Sequence, residues 1–522
     1  MREHRGVSTT PRRYHALAGA AAGLSGIGVS HVLTRVLNAR ATPIESVAET
    51  VIVLTPGPIA EGFIQLVGQM DKPILSAGVT LAIIVLGAVA GLVSRRSGLG
   101  ANLVFVAMGA VALAAAMSRP GFTAPALIPL GAGVATWLVV LTVLADAVPA
   151  APPADPDDAA ASSGSSGSQG TSRRGFLLRS GGFAAAALAL TASGRFFGQD
   201  LRAVETARRL LRLPLARGTE PADAALGVQG TTPWRVPNAE FYRIDTAMVV
   251  PVIDPAEWSL RIHGMVDEEL TFTYQDLLER EMTEAWLTLC CVSNPVGGDL
   301  IGNAFWSGVR ISDLLAEAGV SPDADAVLQT SKDDWTCGTP LEALTDDRNS
   351  LLALGMNGEP LPVDHGFPVR MVVPGLYGYV SATKWLVDLE VTRFDRMSAY
   401  WTERGWSEKG PVKTHSRIEV PGNGSEVKAG SVRIGGQAWA QHTGVASVEY
   451  RIDGNAWEQA ELGGVPNDDT WAQWAATVDL EPGEHTVTVR ATDESGYTQT
   501  SALADVVPDG ATGWHTIDVT AS

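Results

Sequence analysis

Cysteine is scarce in this chain: three among 522 residues, Cys290, Cys291 and Cys337. So few exclude a disulfide-built scaffold. Adjacent Cys290 and Cys291 are poorly placed to bridge each other, because the ring they would close is strained; a bridge from either to Cys337 stays open. The bland reading of any one of them is a small buried hydrophobe. Histidine is also rare, nine in all with no His-x-x-x-His pair, which argues against a metal site built from side chains alone. No Gly-rich dinucleotide fingerprint, phosphate loop, zinc-ligand spacing or haem-attachment run occurs. Charged residues make up only 18% of the chain. Residues 1–147 hold ten Lys and Arg against six Asp and Glu, so the remainder carries −23 of the −19 total. An acidic remainder excludes nucleic acid as a partner, since that needs a basic footprint. An anionic substrate would need locally placed Arg or Lys.

What is abundant is apolar residue, 46% of the chain. Ile74–Val93, Ala101–Met117 and Ala124–Leu144 are each close to the ~20 residues that cross a hydrocarbon core. Ala16–Leu33 is a weaker candidate, interrupted by His31 and several glycines. Val47–Val67 is another, but Glu49, Glu61 and the helix-breaking Pro56-Gly57-Pro58 fall in it. Residues 1–147 are therefore a transmembrane helical region. Residues 148–171, almost all Ala, Pro, Asp, Ser, Gly and Gln, read as a disordered linker. Ser172-Arg173-Arg174-Gly175-Phe176-Leu177-Leu178 then resembles a twin-arginine export signal, followed by the apolar Gly181–Ser193. No small-x-small cleavage site follows, so residues 172–198 are expected to stay as an anchor. With Arg95-Arg96, Arg173-Arg174 and the N-terminal arginines all inside, parity requires five spans, and Val47–Val67 is expected not to cross. The expected location is the cytoplasmic membrane, multi-pass, with everything after the anchor outside.

Between Thr231 and Thr414 the chain reads as mixed α and β, with strands near Trp258–Ile262 and Val369–Val373 and a helix at Ile311–Ala318. Four ordered motifs lie here. They are Val236-Pro237-Asn238-Ala239-Glu240-Phe241-Tyr242-Arg243; Thr288-Leu289-Cys290-Cys291-Val292-Ser293-Asn294; Asn303-Ala304-Phe305-Trp306-Ser307-Gly308-Val309; and Asn357 through His365-Gly366-Phe367-Pro368-Val369-Arg370 to Gly378. Together they resemble the sulfite oxidase fold family of molybdopterin-dependent oxidoreductases. The resemblance implies an enzyme with a mononuclear molybdenum held by one pyranopterin dithiolene, one protein thiolate and oxygen ligands.

Carried over by motif, Cys291 is the implied metal ligand; a soft thiolate suits a metal already bound to two dithiolene sulfurs. Asn238, Tyr242, Arg243, Thr330, His365, Arg370, Ser381, Thr383 and Lys384 are the implied cofactor contacts. Arg243 also faces the metal in a catalytic role, and Trp306 is a candidate for the substrate pocket. Singly, Asn238 could be a helix cap, Arg370 an ion-pair partner and Trp306 core; the ordered set carries the reading. Where sulfite oxidases have Arg after Cys-x-x-Asn, this chain has Pro295 and Val296. A sulfite pocket without those cations in an acidic domain is electrostatically poor. Sulfite oxidation therefore stands as an alternative beside two-electron oxygen-atom transfer to or from an S- or N-oxide or a neutral substrate. A tethered binding protein without redox activity is the reading from another class. No haem motif is present, so electrons require a separate partner, a quinone or a cytochrome.

From residue 415 to 522 the pattern changes to short alternating strands, at Ser431–Ile434, Val448–Ile452 and Thr486–Ala491, with turns at Asp453-Gly454 and Glu494-Ser495-Gly496. That reads as an immunoglobulin-like β-sandwich, without an inter-sheet disulfide. The resemblance implies a dimerisation role and hence a homodimer; Trp471 and Trp474 either line that interface or fill the sandwich. The expected fold class is thus multidomain: a helical transmembrane region, an α+β sulfite-oxidase-type molybdopterin domain over 231–414, and a C-terminal sandwich.

Overall fold

The computed structural model describes residues 12–37, 41–56, 59, 62–63, 66–67, 70–118, 124–149, 172–197, 199–211, 213 and 215–522. Residues 150–171 of the linker and most of the stretch 57–69 lie outside them. Two compact units emerge, Met1–Arg202 and Ala203–Ser522.

The first unit contains α1 (Arg12–Val36), α2 (Pro43–Leu54), α3 (Asp71–Ser94), α4 (Gly98–Met117), α5 (Leu127–Asp146) and α6 (Arg173–Phe197). Among the described residues five helices are long and apolar enough to cross a membrane: Arg12–Val36, Asp71–Ser94, Gly98–Met117, Ala124–Asp146 and Arg173–Ser193. The short α2 starts from a reciprocal cap, in which Glu45 N donates to Thr42 Oγ1 (3.2 Å) and Thr42 N to Glu45 Oε2 (2.6 Å). Its 12 residues span about 18 Å, short of the ~30 Å core.

The glycines that weaken α1 as a span are what lets it pack between α3, α5 and α6. A Cβ at Gly28 would sit 2.7 Å from Ala187 O of α6, and Gly19 lies still closer to the backbone of Gly87 in α3. Trp137 of α5 donates Nε1 to Gly23 O (2.9 Å). Small residues that admit close backbone approach replace the hydrophobic drive that lipid removes. Phe176, from the Arg-Arg-x-Phe run, is fully buried edge-on to Tyr14 with ring centroids 5.4 Å apart.

Helix α7 (Gln199–Leu210) runs across the boundary, and the second unit continues with a long extended stretch. That stretch joins the fold well before Thr231. Arg208 Nη1 donates to Pro360 O (2.9 Å), Ala216 N to Glu284 Oε1 (2.7 Å) and Leu226 N to Gln473 Oε1 (3.2 Å). One sheet has the order β2-β1-β10-β5-β6, where β1 is Ser259–Gly264, β2 Leu270–Thr273, β5 Ala326–Ser331, β6 Thr336–Pro340 and β10 Leu386–Thr392. A second runs β3 (Thr283–Cys290), β4 (Ile301–Arg310), β7 (Leu351–Met356), β8 (Glu359–Pro360), with β9 (Arg370–Val372) beside β7. Strands β4 and β7 are buried on both faces and therefore read as continuous apolar runs without alternation. The helix Ile311–Ala318 forms as expected. Ile311, Leu314, Leu315 and Ala318 are its buried stripe, and Gly319 ends it at φ 68.

The C-terminal sandwich stacks β11-β13-β17-β16 on β12-β19-β18-β14-β15. Here β11 is His415–Val420, β12 Ser425–Val427, β13 Gly430–Trp439, β14 Val445–Ile452, β15 Glu458–Gln459, β16 Glu461–Leu462, β17 Ala472–Leu480, β18 Gly483–Asp493 and β19 His515–Ala521. Ile434, Val448, Trp474, Val487, Val489, Ile517 and Val519 form its core. The two tryptophans have different fates. Trp474 fills the sandwich, whereas Trp471 joins the core of the α+β part, where it and Trp234 each donate Nε1 to the other's carbonyl (2.9 and 3.1 Å).

Candidate functional site

Strand β3 delivers the two adjacent cysteines to different surroundings, because successive strand residues face opposite ways. Cys290 belongs to the apolar core and its Sγ donates to Cys291 O at 3.5 Å. Burial, reinforced by Cys291, pushes its thiol well above the ordinary range, so it stays protonated. Cys291 is buried too, yet stands outside that apolar cluster, at the start of a loop. The loop is closed by Cys291 N donating to Leu300 O (2.9 Å), Asn294 N to Cys291 O (3.1 Å) and Leu300 N to Asn294 Oδ1 (2.9 Å). Arg417 of the sandwich braces it, donating Nη1 to Gly298 O at 2.6 Å. Pro295 is exposed on this loop, and Val296 is half-buried against the core. None of the three cysteines is in a disulfide.

Around Cys291 the expected residues converge from three segments. Tyr242 is half-buried beside the two cysteines and Arg370, and the desolvation of its phenol, then the thiol charges, raise it well above 10, so it remains a neutral donor. Gly378 packs against the same group; a Cβ on it would make ordinary contact with Cys290 O (3.7 Å) and Tyr242 Oη (3.9 Å). Arg370 is buried over the Trp306 ring at 5.2 Å and donates only to main-chain oxygens, those of His365 (3.2 Å), Ala382 (3.4 Å) and Met371 (3.4 Å). Among the described residues no carboxylate pairs with it, and burial lowers its guanidinium to about 10. His365 Nε2 lies 3.0 Å from Asn238 O, while its buried Nδ1 has no partner among the described residues. Burial, then Lys384 and Arg370, push the ring down to about 3, so it is neutral. Lys384 Nζ donates to Asp245 Oδ2 and Asp364 O, both at 3.1 Å, and burial lowers it to about 8. Arg243 completes the group, reaching Asp245 (3.1 Å) and Asp364 (3.2 Å) with 39% of its side chain exposed.

Other expected contacts are spent within the protein. Asn238 donates Nδ2 to Met356 O (3.2 Å) and accepts from Asn357 Nδ2 (2.8 Å), tying the first motif to the end of β7. Ser381 Oγ donates to Tyr377 O (2.9 Å) and Leu376 O (3.1 Å), and Thr383 Oγ1 to Cys337 Sγ (3.4 Å). Trp306 is fully buried, with Nε1 on Leu287 O (3.1 Å), and supports Arg370 from below. Thr330 stands apart on β5, between Thr336 and Asp388, and among the described residues no hydrogen bond joins it to the group. Sequence reasoning missed Asp245, Asp364, Asn294 and Arg417. Only Asn294 had a signal, its place in Cys-x-x-Asn.

A buried, carboxylate-free Arg370, an unpartnered His365 nitrogen and a buried Lys384 make an electropositive recess beside a sequestered thiol. That donor set fits a pterin bearing a phosphate: Arg370 and Lys384 supply charge-assisted donors, His365 a neutral ring, and Cys291 a soft ligand. Among the described residues no cluster of three His, Cys, Asp or Glu could hold a metal without such a group.

Comparison with known proteins agrees. Residues 247–401 match the oxidoreductase molybdopterin binding domain and residues 416–489 the bacterial Ig domain. The chain is 34% identical over 165 residues to an uncharacterized oxidoreductase, YuiH, of Bacillus subtilis, covering 80% of that protein and 32% of this chain. Mitochondrial sulfite oxidase of Mus musculus is 30% identical over 319 residues, 52% of this chain; the match spans 58% of the mouse protein's length. The sulfane dehydrogenase SoxCD of Paracoccus pantotrophus aligns at 24% identity and TM-score 0.47, over 57% of this chain and 83% of that one, too slight a likeness to carry an argument. With the motifs in order around one recess and a relative matched over most of its length, the chain belongs to the molybdopterin-dependent oxidoreductases of the sulfite oxidase fold family.

Proposed function

We propose that residues 203–522 hold one molybdenum–molybdopterin through Cys291 and carry out two-electron oxygen-atom transfer outside the cytoplasmic membrane, with an S- or N-oxide as substrate. When bound, the cofactor supplies the redox chemistry. The protein's part is to bind, orient and exclude water. Arg370 and Lys384 hold the pterin phosphate, Tyr242 offers a neutral phenol beside the Cys291 sulfur, and Arg243 stands at the exposed rim to orient substrate. The observation that carries the substrate class is the state of Arg243. Two carboxylates, Asp245 and Asp364, already meet its charge, and Pro295 and Val296 add no cation. A dianion gains little from such a rim, whereas a neutral oxide can accept a hydrogen bond from it. Sulfite oxidation is the second reading, favoured by the likeness to the mouse enzyme.

Export through the twin-arginine route, with Arg173-Arg174 inside, suits a domain loaded with cofactor before translocation. The burial of Phe176 against Tyr14 supports retention of that segment as an anchor. The sandwich is the proposed dimerisation module, and a quinone or cytochrome the proposed electron partner. The test is elemental analysis of the purified chain, then assay with sulfite, dimethyl sulfoxide and trimethylamine N-oxide. About one molybdenum per chain with turnover of an oxide is expected. Turnover of sulfite alone selects the second reading, and absence of molybdenum overturns both.

A further inference from the structure

The membrane unit holds a cavity that anchoring does not require. It has a volume of about 420 Å³, inside the ~300–1,000 Å³ range of small-molecule sites; it is lined by α1, α2, α3, α4 and α5 and opens on the outer face of the bundle. Its walls are overwhelmingly apolar: Ile27, Val79, Ile83, Met108 and Val134 are typical. Its polar groups are few and include Ser30, His31 and Thr42. Ser30 is buried, and its hydroxyl has no hydrogen-bond partner among the described residues. One turn beyond His31, Arg35 pairs with Glu45 at 3.4 Å. An ionisable residue inside a span lining an apolar cavity marks a ligand or proton site more often than packing.

We infer that this cavity binds the ring of a prenylated quinone or quinol. His31 and the Ser30 hydroxyl meet one ring oxygen, and the apolar walls take the rest of the ring and the isoprenoid chain. A flat, mostly apolar molecule with a carbonyl at its leading edge matches an apolar pocket with a small polar end; a phospholipid headgroup, charged and bulky, does not. Helices α1 and α6 run parallel, since Tyr14 meets Phe176 and Gly28 meets Ala187, so His31 lies in the half of the bundle nearer the C-terminal end of α6. As an electron source for the proposed oxide reduction, and resting on that reading, the exchange balances. A quinol gives up two electrons and two protons and becomes quinone, the oxide loses its oxygen, and that oxygen leaves as water.

The test uses the full chain in nanodiscs, with a short-chain naphthoquinone as probe and binding measured by equilibrium dialysis; molybdenum is measured in the same preparations. Gly78→Phe is the informative variant. A Cβ at Gly78 meets nothing within 4 Å, so the ring grows into the cavity without disturbing the fold, and the helix gains by losing a glycine. Binding should weaken at least tenfold in Gly78→Phe and in His31→Leu, and remain unchanged in Leu92→Phe, which faces outward from α3 and does not line the cavity. No saturable binding to the parent chain, or equal affinity in all three variants, overturns the inference. Quinone binding without molybdenum would sink the proposed function alone; molybdenum without quinone binding would sink this inference alone.

Discussion

Asp245 illustrates how charge is managed in the recess. With only 6% of its side chain exposed it pairs with both Arg243 and Lys384, so it cancels cations that an anionic substrate would otherwise use. Asp245→Asn should therefore shift discrimination toward anions. Relative to the parent chain, the ratio of sulfite to sulfoxide kcat/KM is expected to rise by about tenfold, the worth of one charge-assisted contact. An unchanged ratio would remove Asp245 from the argument about substrate. Lys384 makes a pH prediction. Its folded pKa is lowered from 10.5 to about 8, so its cation is present below pH 8 and is lost as pH rises through that value. Affinity of the apo-protein for a phosphate-bearing pterin should be full below pH 8 and fall above it, by up to about tenfold per pH unit. Lys384→Met should bind weakly and lose that dependence in titrations from pH 6.5 to 9.5.

Elements show how far sequence could be read. The helix Ile311–Ala318 and the strands β1 and β9 were legible because buried stripes and runs betray themselves locally. The motif residues were legible because their order is specific. What sequence concealed depends on contacts between distant segments. Asp245 and Asp364 acquire meaning only when folding brings them to Arg243 and Lys384. That the hydroxyls of Ser381 and Thr383 bond Tyr377 O and Cys337 Sγ is visible only in the fold. Glycine in α1 looked like weakness in a span, since its use is visible only against Gly87 and Ala187. The stretch before Thr231 falls outside the expected domain, yet it laces along the fold through bonds that each pair a main-chain group with a side chain. Trp471 was ambiguous for the same reason, and its position yields a prediction. Trp471→Ala removes a fully buried ring from the joint between sandwich and α+β domain, at a cost of about 3–5 kcal/mol. Urea unfolding should show that loss, and a change under 1 kcal/mol would deny the joint its structural weight.

At the scale of the whole molecule, five apolar helices and three arginine clusters must agree on one topology. Residue 72 falls after one span and Arg95 after two, so cysteines placed at Lys72 and Ser97 should label from opposite sides of the membrane. The residue 72 site is expected outside and the residue 97 site inside, read with a membrane-impermeant maleimide in intact cells and in inverted vesicles. Labelling of both from one side would break the proposed topology. Under the proposed function the two units would have separate tasks: a cofactor site whose Cys291 loop is braced by Arg417, and a bundle that tethers it and offers an apolar cavity.

All of this turns on which sulfur holds the metal. Cys290 is buried in the core with its thiol held protonated, while Cys291 opens the braced loop facing Tyr242. X-ray absorption at the molybdenum edge, on the parent chain and on Cys290→Ala and Cys291→Ala, reads that directly. The account predicts three sulfur scatterers in the parent and in Cys290→Ala, and two in Cys291→Ala with loss of turnover. Three sulfurs retained in Cys291→Ala, or the loss falling on Cys290→Ala instead, would contradict it.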